Sequence, residues 1–175
     1  MHVVILALLF FLSGFFMKIS DDIYDVDGNL ITASVFSIIC AITCGLASVS
    51  DVGAAYIFIA ILIGNLLAFK VDGLHHLLCL ILFIAICLIF GIPQISIFIL
   101  IICIVAALLD EIGHETISGL TDNRFLNLFF EYRFVMKIII LVLAIGGVFD
   151  ISVFVCFILF EIGYELAGIL YKKLN

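Results

Sequence analysis

Apolar residues fill this chain in long uninterrupted runs, and the polar positions fall in short clusters between them. A run of roughly 17 to 25 apolar residues is the length of a bilayer-crossing helix. Seven such runs are present: 1–20, 30–49, 52–69, 74–91, 93–118, 134–148 and 151–171. Strand-like alternation is missing throughout, so the pattern predicts an all-α, polytopic transmembrane bundle of about seven helices. The sixth run is short and needs to tilt or to begin within the Arg133–Lys137 stretch. The longest polar segment, 116–133, carries Phe125, Leu126, Phe129 and Phe130 at helical spacing, which predicts a short amphipathic piece lying in the interface. No linker or low-complexity stretch breaks the pattern, and 1–175 reads as a single integral membrane domain. The first run lacks a basic lead-in and a small-residue cleavage site, so it is expected to stay as a helix rather than leave as a signal peptide.

Composition removes the soluble alternative. The chain is 67% hydrophobic and 12% charged, with mean hydropathy +1.49, whereas a soluble domain holds about a quarter charged residues. It cannot coat itself with a polar surface, so lipid must be its solvent. The net charge is −7 and no basic stripe exists, which argues against a nucleic-acid partner.

The few charges report sidedness. Lys18, Lys70, Arg124, Arg133, Lys137, Lys172 and Lys173 all lie at or beyond the C-terminal ends of odd-numbered runs. The turns at 48–51, 91–94 and 147–150 hold no Lys or Arg. The positive-inside bias therefore predicts a multi-pass protein of the cell membrane with its N-terminus outside and its C-terminus cytoplasmic.

Acidic residues gather on the same predicted side. Asp21, Asp22, Asp25 and Asp27 follow the first run, Asp110, Glu111 and Glu115 end the fifth, and Glu161 and Glu165 lie in the seventh. Carboxylates spaced i,i+4 share a helix face and repel, and a charge at the membrane centre costs about 2.5–3.5 kcal/mol on insertion scales. Such clusters need protons, a cation or basic partners. Hard oxygen ligands suit Mg²⁺ or Ca²⁺. Glu161, eleven positions past Asp150, is expected near mid-membrane, facing the bundle interior. His114 sits within an acidic cluster as a candidate ligand or proton relay. Adjacent His75 and His76 point about 100° apart on a helix and read as interface anchors. The six cysteines all fall in apolar runs, where a free thiol behaves as a small hydrophobe. HExxH and HxxEH are both missing, as are a nucleophile elbow, a Walker loop and a dinucleotide fingerprint.

Two internal matches hint at a repeated helical hairpin. "DEIGHETISGL" (110–120) matches "FEIGYELAGIL" (160–170), and "YDVDGNL" (24–30) matches "FKVDGLH" (69–75).

An apolar helix ending in "DDIYDVDGN" resembles the first aspartate motif of the UbiA superfamily of intramembrane prenyltransferases. The corresponding positions are Asp21, Asp22, Asp25 and Asn29, with the first and last exchanged relative to the family's Asn-first order. Glu111 and Glu115 match the second motif, with glutamates in place of aspartates, and three predicted helices separate the two motif helices. The resemblance implies Mg²⁺ held by Asp21, Asp22, Asp25, Glu111 and Glu115, and an isoprenoid or other lipid diphosphate as substrate. Lys18, Lys70 and Arg124 would then neutralise its phosphate oxygens. No catalytic residue is singled out.

Three functions stay open at this level: a transferase-like enzyme on a lipid diphosphate, a cation or proton transporter using His114, Glu161 and Glu165, and a structural membrane protein. A cavity closed to the outside favours the first, and polar residues continuing to Asp51 or Asp150 favour the second.

The sidedness is directly testable: reporters fused after Gly91 and after Lys173 should report opposite faces of the membrane. Finding both on one face would reject the seven-span topology.

Overall fold

The computed structural model describes residues 2–71, 73–117 and 123–174. Those residues form eight helices and no strand: α1 (Val3–Asp27), α2 (Leu30–Ser50), α3 (Val52–Leu67), α4 (Leu74–Phe90), α5 (Ile97–Ile117), α6 (Arg124–Glu131), α7 (Phe134–Ile145) and α8 (Ile151–Leu174). α1, α2, α5 and α8 are long and apolar enough to cross a membrane, and α3, α4 and α7 are shorter apolar helices. The eighth helix is α6, the amphipathic piece expected within 116–133, and it buries none of its residues. Outward faces are apolar: Ile31 is 80%, Leu88 79% and Phe98 75% exposed. These are surfaces for lipid, not water.

α1 extends through its acidic cluster to Asp27 and stops at Gly28, whose φ of 64° is the left-handed helix cap that glycine adopts without strain. The matched segment 69–75 ends differently. Its Gly73 has φ −107° and begins α4, so the two copies of this match perform opposite jobs. Asp72 of that copy and residues 118–120 of the other match lie outside the described residues.

The helices close a ring. α1 packs on α2 and α8, α2 on α3, α3 on α5, α5 on α7, and α7 on α8, while α4 packs chiefly against α2. Small residues set the spacing, as they do where membrane helices meet. A Cβ on Gly14 or Gly163 would collide with the carbonyls of Phe160 and Phe11 across the α1–α8 seam, and one on Gly64 would press on Ala107 of α5. The first half of α3, Gly53 to Phe58, is wholly buried. Phe58 packs 4.7 Å from Phe10 and 5.9 Å from Phe160, ring centre to ring centre.

Hydroxyls inside the bundle find partners on their own helix and on its neighbour. Ser13 donates to the Leu9 carbonyl at 2.7 Å, and Ser20 donates to the Ala33 carbonyl at 2.9 Å. In an apolar medium this matters more than in water, because no solvent stands ready to replace a missing partner.

Substituting Gly163→Leu should separate α1 from α8 and cost at least about 2 kcal/mol by overpacking. Thermal unfolding in detergent will read this as a clear drop in midpoint. Ile162→Leu, on the lipid-facing side one residue away, should stay within about 0.5 kcal/mol of the parent.

Candidate functional site

The sequence clusters its charges at alternate helix ends, and the fold brings those ends to one side of the ring. They surround a cavity of about 350 Å³. Lys18, Asp21 and Asp25 of α1, Lys70, His76 of α4, Glu111 and His114 of α5, Arg133, and Glu161 and Tyr164 of α8 line its polar end. Its inner end is lined by Cys40, Cys44, Phe58, Phe83, Met136, Phe157 and Phe160. The cavity is therefore amphipathic along its depth.

Most of the acids inside the bundle have a specific partner. Arg133 Nε donates to Glu111 Oε1 at 2.8 Å, with the two side chains only 24% and 12% exposed. Arg133 stands between α6 and α7 at φ 48° and ψ 56°. This left-handed conformation is costly for a side chain of that size and persists only where surrounding contacts hold it. Burial opposes the charge on Arg133, but Glu111 and the neighbouring acids outweigh burial and raise its pKa. Its guanidinium also lies 5.5 Å from the Tyr164 ring centre, and Lys18 Nζ lies 5.4 Å from the same ring. Two cations thus share one aromatic surface.

Glu161 meets Lys137 Nζ at 3.1 Å, and Lys137 also donates to the Tyr132 carbonyl. Asp110, 1% exposed, does something the sequence does not announce. Its two oxygens accept from the backbone N–H of Val135 at 3.0 Å and of Met136 at 2.7 Å. Arg133 gives α7 no side-chain cap, so a carboxylate from α5 satisfies the free N–H groups of another helix.

Of the residues expected at a site, Asp21, Asp25, Glu111, Lys18, Lys70, His114 and Glu161 all line the cavity. Others are displaced from it. Asp22 pairs with Lys18 at 2.8 Å and points toward Gly168 of α8. Glu115 is half exposed and pairs with Lys70 at 2.5 Å. Arg124 is exposed at the start of α6. Glu165 lies in a separate shallow groove between α7 and α8, beside Tyr132 and Ile169.

Arg133 takes the place expected for Arg124, and Tyr164 was not foreseen. Arg133 counted in the sequence only as a topology-setting charge. The one available signal for Tyr164 was its position in "EIGYE", three residues from Glu161 on the same helix face. His75 also departs from expectation. It is 1% exposed, not at an interface. Its Nε2 lies 3.9 Å from Asp21 Oδ1, and His76 Nε2 lies 3.8 Å from the same oxygen.

The acids of the opposite end serve the backbone. Asp51 accepts from the Ala54 N–H at 2.9 Å and Asp150 from the Ser152 N–H at 2.7 Å, each capping a helix start. The hydrogen bonds at Ser152 hold the Asp150 carboxyl below the usual carboxylate range. Neither acid lines the cavity. No family model matches the chain, and no characterised protein or solved structure does either.

Asp110→Ala should leave α7 uncapped and lower stability by about 1–2 kcal/mol, the usual loss when an N-cap acceptor is removed. Asp110→Asn keeps one acceptor oxygen and should lose less. Equal stability of all three proteins in a detergent unfolding series would contradict the capping role.

Proposed function

We propose that the cavity receives an isoprenoid or related lipid diphosphate with Mg²⁺, in a UbiA-like, transferase-type membrane protein. The observation that carries this reading is the cavity's division: carboxylates and cations at one end, aromatic and thiol side chains at the other. A diphosphate head with an apolar tail has the same division. In this reading α1 to α5, α7 and α8 are seven spans of the cell membrane, the N-terminus is outside, and α6 lies on the cytoplasmic surface.

The donors support Mg²⁺ in part. Asp25 and Glu111 offer oxygen ligands from two helices to one cavity, and Mg²⁺ favours one or two carboxylates completed by water and phosphate. Asp22 and Glu115 are engaged with lysines away from the cavity lining and drop out of the proposed ligand set, Glu111 stays in it with one oxygen accepting from Arg133, and Asp21 faces imidazoles. Lys18, Lys70 and Arg133 are placed to take phosphate oxygens, Arg133 through its planar fork. A bound Mg²⁺ would neutralise charge on the diphosphate as it leaves. Phe58, Phe157 and Phe160 would keep water from the tail and from the reacting carbon.

Transport is the weaker reading. The polar lining ends at these aromatic rings, and Asp51 and Asp150 at the far end are helix caps. Glu161, the best intramembrane candidate, is paired with Lys137.

Purified protein should bind a labelled prenyl diphosphate in the presence of Mg²⁺ and lose it on chelation. Asp25→Asn and Glu111→Gln should each weaken binding tenfold or more, while Asp51→Asn should not. Binding indifferent to Mg²⁺ and to both substitutions would reject the reading. A proton or cation flux in proteoliposomes that Glu161→Gln abolishes would favour transport instead.

A further inference from the structure

We propose that Asp21, His75 and His76 form a binding site for a first-row transition-metal ion of the zinc or ferrous kind, in the cavity wall between α1 and α4. This goes beyond the lipid-diphosphate reading and does not depend on it.

The three residues present one oxygen and two nitrogen ligand atoms within 4.8 Å of one another. Both Nε2 atoms face a single oxygen of Asp21, at 3.9 and 3.8 Å. Ligands bound to one ion at about 2.1 Å lie about 3.0–3.6 Å apart for coordination angles of 90° to 120°. The two Asp21 gaps close by a few tenths of an ångström, and the widest separation in the trio, at most 4.8 Å, closes by about an ångström of side-chain rotation.

Neighbouring histidines on a helix normally diverge, and here they do not. Their ring centres are 3.9 Å apart and the planes tilt by 37°. The convergence is built by three supports. Tyr24 lies against His75 at 4.3 Å between ring centres. Ser37 of α2 donates to the His75 carbonyl at 2.6 Å and fixes the first turn of α4. Gly73 leaves room for the imidazole, since a Cβ there would stand 2.5 Å from its Nδ1. Histidines serving as interface anchors need none of these.

Ligand type selects the ion. Two imidazoles and one carboxylate suit zinc or ferrous iron and leave coordination positions open, whereas Mg²⁺ prefers oxygen alone. Asp21 and His76 both line the cavity, so the open positions would face the same space as Asp25 and Glu111.

The test uses the untagged full chain in detergent, titrated with Co²⁺ as a coloured stand-in and with Zn²⁺. One equivalent of Co²⁺ should give visible ligand-field absorption that Zn²⁺ removes and excess Mg²⁺ does not. Asp21→Asn and His76→Gln should weaken Zn²⁺ binding roughly tenfold or more, as loss of a metal-site residue does. Asp51→Asn, a helix cap outside the cavity, should leave it unchanged, which separates loss of a ligand from a general effect of substitution. Zinc-edge X-ray absorption on the unsubstituted chain should show two imidazole ligands, a readout that needs no variant to fold. No stoichiometric binding, binding unaffected by both substitutions, or an absorption spectrum without imidazole scattering would overturn the proposal.

Discussion

Charge neutralisation without water is the constraint on which this architecture rests. A carboxylate taken out of water loses far more than a hydrogen bond returns unless a cation or several N–H groups meet it. The bundle meets that requirement case by case. Arg133 covers Glu111, Lys137 covers Glu161, Lys18 covers Asp22, and the start of α7 covers Asp110. Each of these contacts joins two helices except the one within α1. The polar contacts therefore help to set where the helices stand, in a medium where apolar side chains gain little by leaving lipid for one another.

The same constraint sorts the acids by role. Asp110, Asp51 and Asp150 accept from backbone and serve the fold. Asp22 and Glu115 are held by lysines at the edge of the site. Asp21, Asp25 and Glu111 line the cavity, Glu111 with one oxygen held by Arg133. Spacing alone cannot draw this distinction, because Asp110 and Glu111 are consecutive and Asp21 and Asp22 are as well. Asp110 borders the cavity as Glu111 does, and what separates them is the start of α7, which occupies both Asp110 oxygens through a contact between helices that no local pattern specifies.

What the sequence made legible follows from this. Hydrophobic run length places α2 almost to the residue, 30–49 against Leu30–Ser50, because lipid imposes length directly. The amphipathic α6 was visible through the helical spacing of Phe125, Leu126, Phe129 and Phe130. The end of α1 was not: its acids read as a helix mouth, yet they continue as helix because Lys18 and the cavity accommodate them. Among the cavity residues, the acids were found by cost, since each is too expensive to be idle, and Lys18 and Lys70 came only with the family resemblance. Arg133 was missed because its reach into the cavity comes from a left-handed backbone that no local pattern specifies. The convergence of His75 and His76 was missed because it depends on Tyr24 and Ser37, distant in the chain.

The helix lengths carry a mechanical consequence. At about 1.5 Å per residue, the 25 residues of α1 and 24 of α8 extend roughly 37 and 36 Å, while the 12 of α7 reach only about 18 Å. The hydrocarbon layer is about 30 Å thick. On the proposed seven-span reading, the ring has one tall wall and one short stretch, and lipid beside α7 would have to compress or curve to keep apolar surface covered. Such thinning would bring the headgroup level down toward the groove between α7 and α8. On that reading the protein has a stake in how thick its membrane is.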